Sequence, residues 1–375
     1  MLESSSSNKQ KKALVLCQAH ECNVSGANIA LLEYLDALKN EYNFHLILPH
    51  NGTMELETAK RGIPSTVIHQ YDWTNRFRLW RLDLIFRFLI RTCLADRKLK
   101  SLMRNLAPSM VWTNTLVPFQ AAYRAKLENI PHVWWIHEFG KEDFGFEIAW
   151  TWEKQGFAWM QKSSALIVAN SIAISEHFKK KMPQAKIITV YQPVSWSPKG
   201  KNENQKHARF LMFGQITPSK GHLAVLEAMI QNKKEGKPLY KLHIKGPCEE
   251  LSYLESLQTL VIQNQLQSFV QFEVGYFVKE EVLPHYEVLI VASRSEAFGR
   301  VIVEANKAGL RVLVSNSGGA PELINETNGL LFDNQIELAA ALCGERNFPV
   351  KSIQTNYDET FEIKKLTSLL KTVCS

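Results

Sequence analysis

The sequence predicts an α/β protein with two parallel-sheet halves, and three observations predict it. Short β-rich apolar runs alternate with stretches of helical periodicity through most of the chain, which is the pattern of βαβ units. The alternation breaks once, around Pro193 to Lys206, in a run rich in Pro, Gly, Asn and Lys that reads as a linker. A length of 375 residues, 45% hydrophobic and 22% charged, suits about two compact domains. These limits divide the chain into a flexible tail at 1–10, a first domain at 11–193, a linker at 194–207, a second domain at 208–356 and a terminal helix at 357–375. That helix either caps the second domain or crosses back to the first.

In the first half, Ala13 to Cys17 (ALVLC) reads as a buried strand, followed by a loop to Ser25-Gly26. The helix after it has Ile29, Leu32, Leu35 and Leu38 at helical spacing. Strand FHLIL, a helix after Gly52-Thr53 and strand STVIH repeat the unit, and a long basic helix follows. SMVWTN, PHVWWIH, ALIVAN and KIITV read as four more strands, with a helix from about Ser171 to Lys181 between the last two. In the second half RFLMF, YKLHIK, FVQFE, EVLIVA and RVLVSN read as strands. The helices between them include EELSYLESLQTLVIQN, VKEEVLPHY with a terminating Pro, and VIVEANKAG, ended by Gly309. A stretch with little signal near Gly344 to Thr355 precedes the last helical pattern, YDETFEIKKLTSLLKTV.

Composition excludes several classes. No run approaches the ~18 to 20 apolar residues that span a bilayer, and MLESSSSNKQKK lacks the apolar region of a secretory signal, so a cytoplasmic protein is expected. The serine-rich opening has too little apolar content to order itself. Six cysteines without CxxC spacing predict free thiols and no metal site. The net charge is +7, and Asn75 to Arg104, with nine basic residues against Asp83 and Asp96, holds an excess equal to all of it.

The chemistry gathers in loops after strands of the second half, where open α/β sheets bind ligands. In Gly214-Gln215-Ile216-Thr217-Pro218-Ser219-Lys220-Gly221, Lys220 opens a helix and can meet a phosphate together with the helix N-terminus. Lys245-Gly246-Pro247 is a strand ending in a Gly turn. In Ser293 to Arg300, Gly299 lets backbone approach a ligand, so the N–H groups of Phe298, Gly299 and Arg300 can face an anion. Glu296 precedes that step. Glu304, flanked by Val301, Ile302, Val303 and Ala305, is a carboxylate in an apolar helix and needs a partner, such as the vicinal hydroxyls of a ribose. Ser317-Gly318-Gly319-Ala320-Pro321-Glu322 opens another helix on the same side.

Together these residues resemble the retaining nucleotide-sugar glycosyltransferases of the GT-B fold, family 4. The resemblance spans about Arg209 to Phe332: F-x-x-F-G with Lys220-Gly221, Lys245-Gly246, S-x-x-E-A-F-G-x-x-x-x-E-A, RVLVSNSGGAPELI and Asn328-Gly329-Leu330-Leu331. The first half matches in outline, through Gly26 and His137-Glu138. The resemblance implies two Rossmann-like domains facing across a cleft. It implies that Glu296 contacts the donor sugar, Glu304 holds the ribose and Lys220 binds the pyrophosphate. His137 would lie near the reacting sugar and Gly26 near donor and phosphate. It implies no tightly bound cofactor and no metal, because Lys and helix dipoles balance the leaving diphosphate. Two departures matter: where the family has Arg after the glycine at 214, this chain has Gln215, and Arg300 or Arg294 is expected to replace that cation, while the Pro often found before Ser293 is Ala292, a milder change that mainly alters loop stiffness.

The acceptor is expected at the first domain. The long basic helix puts Arg76, Asp83, Arg87, Arg91 and Lys98 along one stripe, with Leu79, Leu82, Ile85, Phe86, Leu89, Ile90 and Cys93 on the other side. It reads either as an anchor on an anionic membrane surface or as a helix packed on the sheet with arginines outside. No nucleic-acid motif accompanies it. His137 to Trp159 contains Glu138 and Asp143, candidates to orient an acceptor hydroxyl, and Trp150, Trp152 and Trp159, of which at least two are expected in the core. The function expected is transfer of a sugar to a glycan or lipid-linked glycan in making a cell-surface polysaccharide, by a peripheral protein on the inner face of the membrane. A non-catalytic scaffold, motivated by Gln215, and a nucleotide-sugar epimerase are the rivals.

Overall fold

The computed structural model describes residues 12–69, 72–74, 82–148, 152–198, 208–349 and 352–374, the side chains of 82–91 excepted. The first sheet contains β1 (Ala13–Gln18), β2 (Tyr42–Leu48), β3 (Ser65–Val67), β4 (Met110–Asn114), β5 (His132–Ile136), β6 (Leu166–Ala169) and β7 (Ile187–Thr189). Their order is β3-β2-β1-β4-β5-β6-β7, all parallel. The second contains β8 (Ala208–Phe213), β9 (Leu242–Gly246), β10 (Val270–Val274), β11 (Tyr286–Val291), β12 (Arg311–Ser315) and β13 (Gly329–Phe332). Their order is β10-β9-β8-β11-β12-β13, again all parallel. Both domains therefore add strands one way from their first strand and then the other way. The loops diverge at β1/β4 and at β8/β11, which leaves a crevice at each switch point.

Each sheet is covered on both faces, as the continuous apolar strands require. Val15 and Cys17 join one core while Leu16 between them joins another. Phe210 and Met212 likewise oppose Leu211. Trp112, Trp134 and Trp135 are fully buried and make the first domain's core unusually aromatic. The chain leaves the second domain at Tyr357, and the helix Glu359–Cys374 places Leu366 and Leu370 in the first domain's core. Burial of each leucine contributes ~1.5–3 kcal/mol, so this helix ties the two domains together.

Several elements differ from the sequence reading. Lys220 does not open an α-helix: it closes a 3-10 turn, Pro218–Lys220, and the helix His222–Lys234 starts after the left-handed Gly221. Pro284 lies inside the 3-10 turn Leu283–His285, which follows the short helix Lys279–Val282. The segment opened by Gly318-Gly319 is a four-residue 3-10 helix, Ala320–Leu323. Gly329–Phe332 is a sixth strand, and Gln335–Cys343 is a helix capped by Asn334, whose side chain accepts from Ile336 N (3.1 Å) and Glu337 N (3.0 Å). Of the three tryptophans, Trp159 packs edge-on against Trp73 and Trp134, Trp152 is exposed, and Trp150 lies outside the described residues, as does the tail at 1–10.

Candidate functional site

The second domain presents the loops after β8, β9 and β11 around its switch point. Gly214 and Gly246 end adjacent strands so closely that a Cβ on Gly246 would lie 1.8 Å from the Gly214 carbonyl oxygen. The two backbones therefore pack directly on each other, with Gly246 buried and Gly214 half-buried. Arg294 N donates to Ser219 O (3.0 Å) and joins the β8 and β11 loops. Between them, Lys220 Nζ lies 2.9 Å from Glu296 Oε2, which also accepts from Ser293 Oγ (2.9 Å). Gln215 is exposed.

Glu304 is buried on the helix Arg300–Lys307 and pairs through Oε1 with Lys279 Nζ (2.7 Å), while its Oε2 has no partner among the described residues. The partner that an apolar helix carboxylate requires is thus supplied in half. Phe298 is buried, stacked on Tyr191, so only its backbone is available to a ligand. Gly299 precedes the first turn, where Ile302 N donates to Gly299 O (2.9 Å) and the N–H groups of Arg300 and Val301 have no earlier carbonyl within the helix. Arg300 does not stand in for a diphosphate cation. Its guanidinium forms a two-pronged pair with Glu33 of the first domain (2.9 and 3.1 Å) and donates to Pro193 O (2.6 Å). Arg294 is exposed.

The domains meet beside this loop. Gly319 N donates to Glu296 O (2.7 Å), and a Cβ on Gly318 would lie 2.3 Å from that oxygen, so the Gly-Gly turn lies against the Glu296 backbone. Glu322 then crosses to the first domain, accepting from Ile172 N and Ala173 N (2.8 Å each) and from Tyr191 Oη (2.9 Å). A carboxylate at the start of the helix Ile172–Lys181 satisfies free N–H groups and complements its dipole.

In the first domain His137 follows β5 and is buried beside Trp135. Burial, helped by the charges of His20 and Arg300, holds its pKa well below the ordinary value. Its Nε2 contacts Asn114 Oδ1 (2.7 Å) and its Nδ1 contacts Gln192 Nε2 (2.5 Å). A neutral ring with the proton on Nε2 satisfies both contacts. Asn114 Nδ2 reaches Ala27 O (3.3 Å), so the histidine links β4, β5, Gln192 ahead of the linker and the first turn of the helix Gly26–Leu38. A Cβ at Gly26 would meet nothing within 4 Å, and open space there is compatible with a ligand approaching the backbone.

Glu138 and Asp143 are not free to orient an acceptor. Glu138 accepts from Leu116 N (2.6 Å) and His137 N (3.0 Å), and burial pushes its pKa up to about 7. Asp143 accepts from Phe139 N and Gly140 N (2.8 Å each). Both carboxylates hold the loops after β4 and β5 in shape. Of the basic stripe, Lys98 is exposed, whereas Arg76 and the side chains of Arg87 and Arg91 lie outside the described residues.

Sequence reasoning gave no role to Ser293 and passed over Lys279, Glu33, Asn114, Gln192 and the dipeptide His20-Glu21. The last was findable, because it repeats the His137-Glu138 pair at the end of another strand of the same sheet. Among the described residues no three His, Cys, Asp or Glu side chains form a metal-holding group, and all six cysteines are free.

Comparison with known proteins gives the following. The model of the family described as Glycosyltransferase Family 4 matches residues 24–195, and that of Glycosyl transferases group 1 matches residues 196–343. The chain is 26% identical over 324 residues to the O-antigen biosynthesis glycosyltransferase WbnH of Escherichia coli, covering 83% of each chain. It resembles Anabaena HepE, whose crystal structure holds UDP and glucose, with TM-score 0.70 at 17% identity, over 96% of this chain and all of that one. It also resembles pneumococcal O-GlcNAc transferase GtfA in complex with UDP and GlcNAc, with TM-score 0.69 at 13% identity, over 96% and 99%.

Proposed function

This chain belongs to the family 4 glycosyltransferases of the GT-B fold, and from that premise we propose a retaining enzyme that moves a sugar from a nucleotide-diphosphate donor to a glycan or lipid-linked glycan. The observation that carries the reading is the Lys220–Glu296 pair at the β8/β11 switch point, 2.9 Å apart and held by Ser293. A diphosphate entering beside the first turn of Arg300–Lys307 draws Lys220 to itself, since a doubly charged anion outcompetes one carboxylate. Glu296 is then released to accept hydrogen bonds from the sugar's hydroxyls. Glu304, with Oε1 on Lys279 and Oε2 unpartnered, accepts from the ribose. The leaving diphosphate is balanced by Lys220 and the helix N-terminus, with Gln215 donating a neutral hydrogen bond.

HepE and GtfA hold UDP in their crystal structures, which makes UDP-sugars the first donors to test, and WbnH is named for O-antigen synthesis, which favours a cell-surface polysaccharide product. The same reading puts the enzyme at the inner face of a membrane as a peripheral protein. No helix among the described residues is long and apolar enough to cross a membrane. On the helix Leu82–Leu106 the inward residues are Ala95, Leu99 and Met103, whereas Cys93, where the apolar stripe ends, and Leu94 are exposed. Exposed Cys93 and Leu94 near exposed Lys98 suit an anionic bilayer surface. Flotation with anionic and neutral liposomes tests this, and equal recovery on both contradicts it.

The experiment for the main reading screens UDP-, GDP- and ADP-sugars for thermal stabilisation and follows release of the nucleoside diphosphate. NMR of the product gives the configuration at the anomeric carbon. Stabilisation by at least one donor, turnover lost in Glu296→Ala and a retained anomer are expected. A wild-type protein that neither binds nor consumes any donor contradicts the reading, and an inverted product contradicts retention.

A further inference from the structure

We propose that Tyr191 is a positioning residue for the donor: from the first domain, its ring seats the Phe298 loop of the second domain and so sets the strength of nucleotide binding. The inference rests on that loop receiving the donor diphosphate. Tyr191 lies two residues beyond β7, where the chain is about to leave the first domain. Its backbone is fixed there at both polar atoms. Tyr191 O accepts from Tyr34 Oη (2.6 Å) on the helix Gly26–Leu38, and Tyr191 N donates to Glu362 Oε2 (3.0 Å) on the helix Glu359–Cys374. Its side chain belongs to the other domain's core, packed against the cluster that contains Phe298, Ile302, Val303, Ala320 and Leu323.

The loop from Ser293 to Gly299 carries Glu296 and turns into the helix Arg300–Lys307 through the left-handed Gly299. Arg294 N to Ser219 O (3.0 Å) and Gly319 N to Glu296 O (2.7 Å) hold its earlier part. Downstream of Glu296, the buried Phe298 ring anchors the step into the helix. That ring contacts two others, Tyr191 stacked at 5.7 Å and 28°, and Tyr357 tilted at 6.1 Å and 59°. Both stand where the chain passes between domains, Tyr191 before the linker and Tyr357 before the terminal helix.

The helix behind Phe298 is held from the same segment. Arg300, its first residue, donates to Pro193 O (2.6 Å), and Lys307, its last, donates to Val194 O. Tyr191 Oη adds a tie to Glu322 Oε2 (2.9 Å), beside the Gly-Gly turn that lies against the Glu296 backbone. The donor loop and its helix thus take their place from residues 191–194. A nucleotide binds only the fraction of molecules whose loop is seated, and a stacked aromatic pair shifts that balance by roughly 2- to 10-fold.

Wild type, Tyr191→Phe, Tyr191→Leu, Phe298→Leu and the double variant Tyr191→Leu/Phe298→Leu are titrated with UDP by calorimetry and unfolded in denaturant. Hydrogen exchange is followed in peptides covering 294–303. Tyr191→Leu is expected to weaken UDP binding ~5-fold and to speed exchange in those peptides. Tyr191→Phe recovers most of that loss, since it keeps the ring, and Glu322 retains its bonds from Ile172 N and Ala173 N. The double variant binds UDP no more weakly than Phe298→Leu, because the two rings act as one pair. A residue that only packs the domains together lowers stability and leaves the UDP affinity of the folded protein unchanged. That result, defects that multiply in the double variant, or a Tyr191→Phe as weak as Tyr191→Leu would overturn the inference. A wild type that does not bind UDP instead removes the UDP reading of the donor site, and this inference with it.

Discussion

Glu296 sits 2.9 Å from Lys220 and competes with any anion for that ammonium, so one carboxylate has opposite effects on two ligands. Glu296→Gln frees Lys220 and removes an acceptor of sugar hydroxyls. UDP alone is expected to bind the variant at least as tightly as wild type, while turnover of a UDP-sugar falls by ~10²-fold. Calorimetry and initial rates check the two arms, and a parallel fall of both contradicts the competition. Glu138 carries a pH prediction. Its pKa is about 7 in the fold through burial and 4.5 is its reference value, so the native state binds the proton more tightly. The stability this contributes is full below pH ~4.5 and is lost as pH rises through about 7, a contribution of order 3 kcal/mol. Buried neutral histidines act in the other direction: burial lowers His132 to about 3, so its neutral form costs stability as pH falls below 6.5. The difference between wild type and Glu138→Gln isolates the glutamate. Denaturant titrations are expected to show that difference changing between pH 4.5 and 7, and a constant difference contradicts the assignment. Legibility at this scale was uneven. Glu296, Glu304 and Lys220 could be read because loop, glycine and carboxylate recur at short spacing. Arg300 could not, because its partner Glu33 is 267 residues away and no local pattern encodes that pairing.

Among the elements, the helix Ile172–Lys181 has two caps of different origin. Ser171 Oγ accepts from Ile174 N (3.1 Å), and Glu322 from the other domain accepts from Ile172 N and Ala173 N. Glu322→Ala leaves the first cap and removes the second, so a loss of ~1–2 kcal/mol is expected, with Glu322→Gln intermediate because it can still accept at one oxygen. Chemical denaturation of the three proteins decides, and an unchanged Glu322→Ala contradicts the cap. The helix Glu359–Cys374 offers a second test: Leu366→Ala is expected to cost ~2–5 kcal/mol because Leu366 is fully buried in the first domain's core. Most strands could be read directly, since β-rich apolar runs between helical stretches leave few alternatives. The 3-10 turns at Pro218–Lys220 and Ala320–Leu323 could not, being three and four residues long and below any helical period. The strand Gly329–Phe332 was obscured by its position in the Asn-Gly-Leu-Leu motif, and the helix Gln335–Cys343 had a legible Asn334 cap.

For the whole molecule, the cleft is held by ties between its walls: Arg300 to Glu33, Glu322 to the helix Ile172–Lys181, Lys307 to Glu359 (3.2 Å), and the terminal helix itself. Arg300 and Glu33 have side chains only 11% and 15% exposed, so removal of Arg300 leaves the buried Glu33 with Ser195 N (3.2 Å) and without its ionic partner. Arg300→Ala is expected to shift the domains apart, seen as a larger radius of gyration by small-angle scattering. An unchanged radius contradicts a role for the pair in holding the cleft. The two α/β halves and their linker could be inferred from alternation and one break in composition. The side chains that meet across the cleft could not, because their pairing belongs to the relation between domains. The central claim, that the second domain's switch point holds a nucleoside diphosphate, is tested most directly by calorimetric titration of UDP, GDP and ADP into wild type and Lys220→Ala. The expected result is binding of at least one nucleotide by wild type, weakened ~10- to 100-fold in the variant by loss of a charge-assisted hydrogen bond. Binding of none by wild type, or equal binding by both proteins, would contradict it.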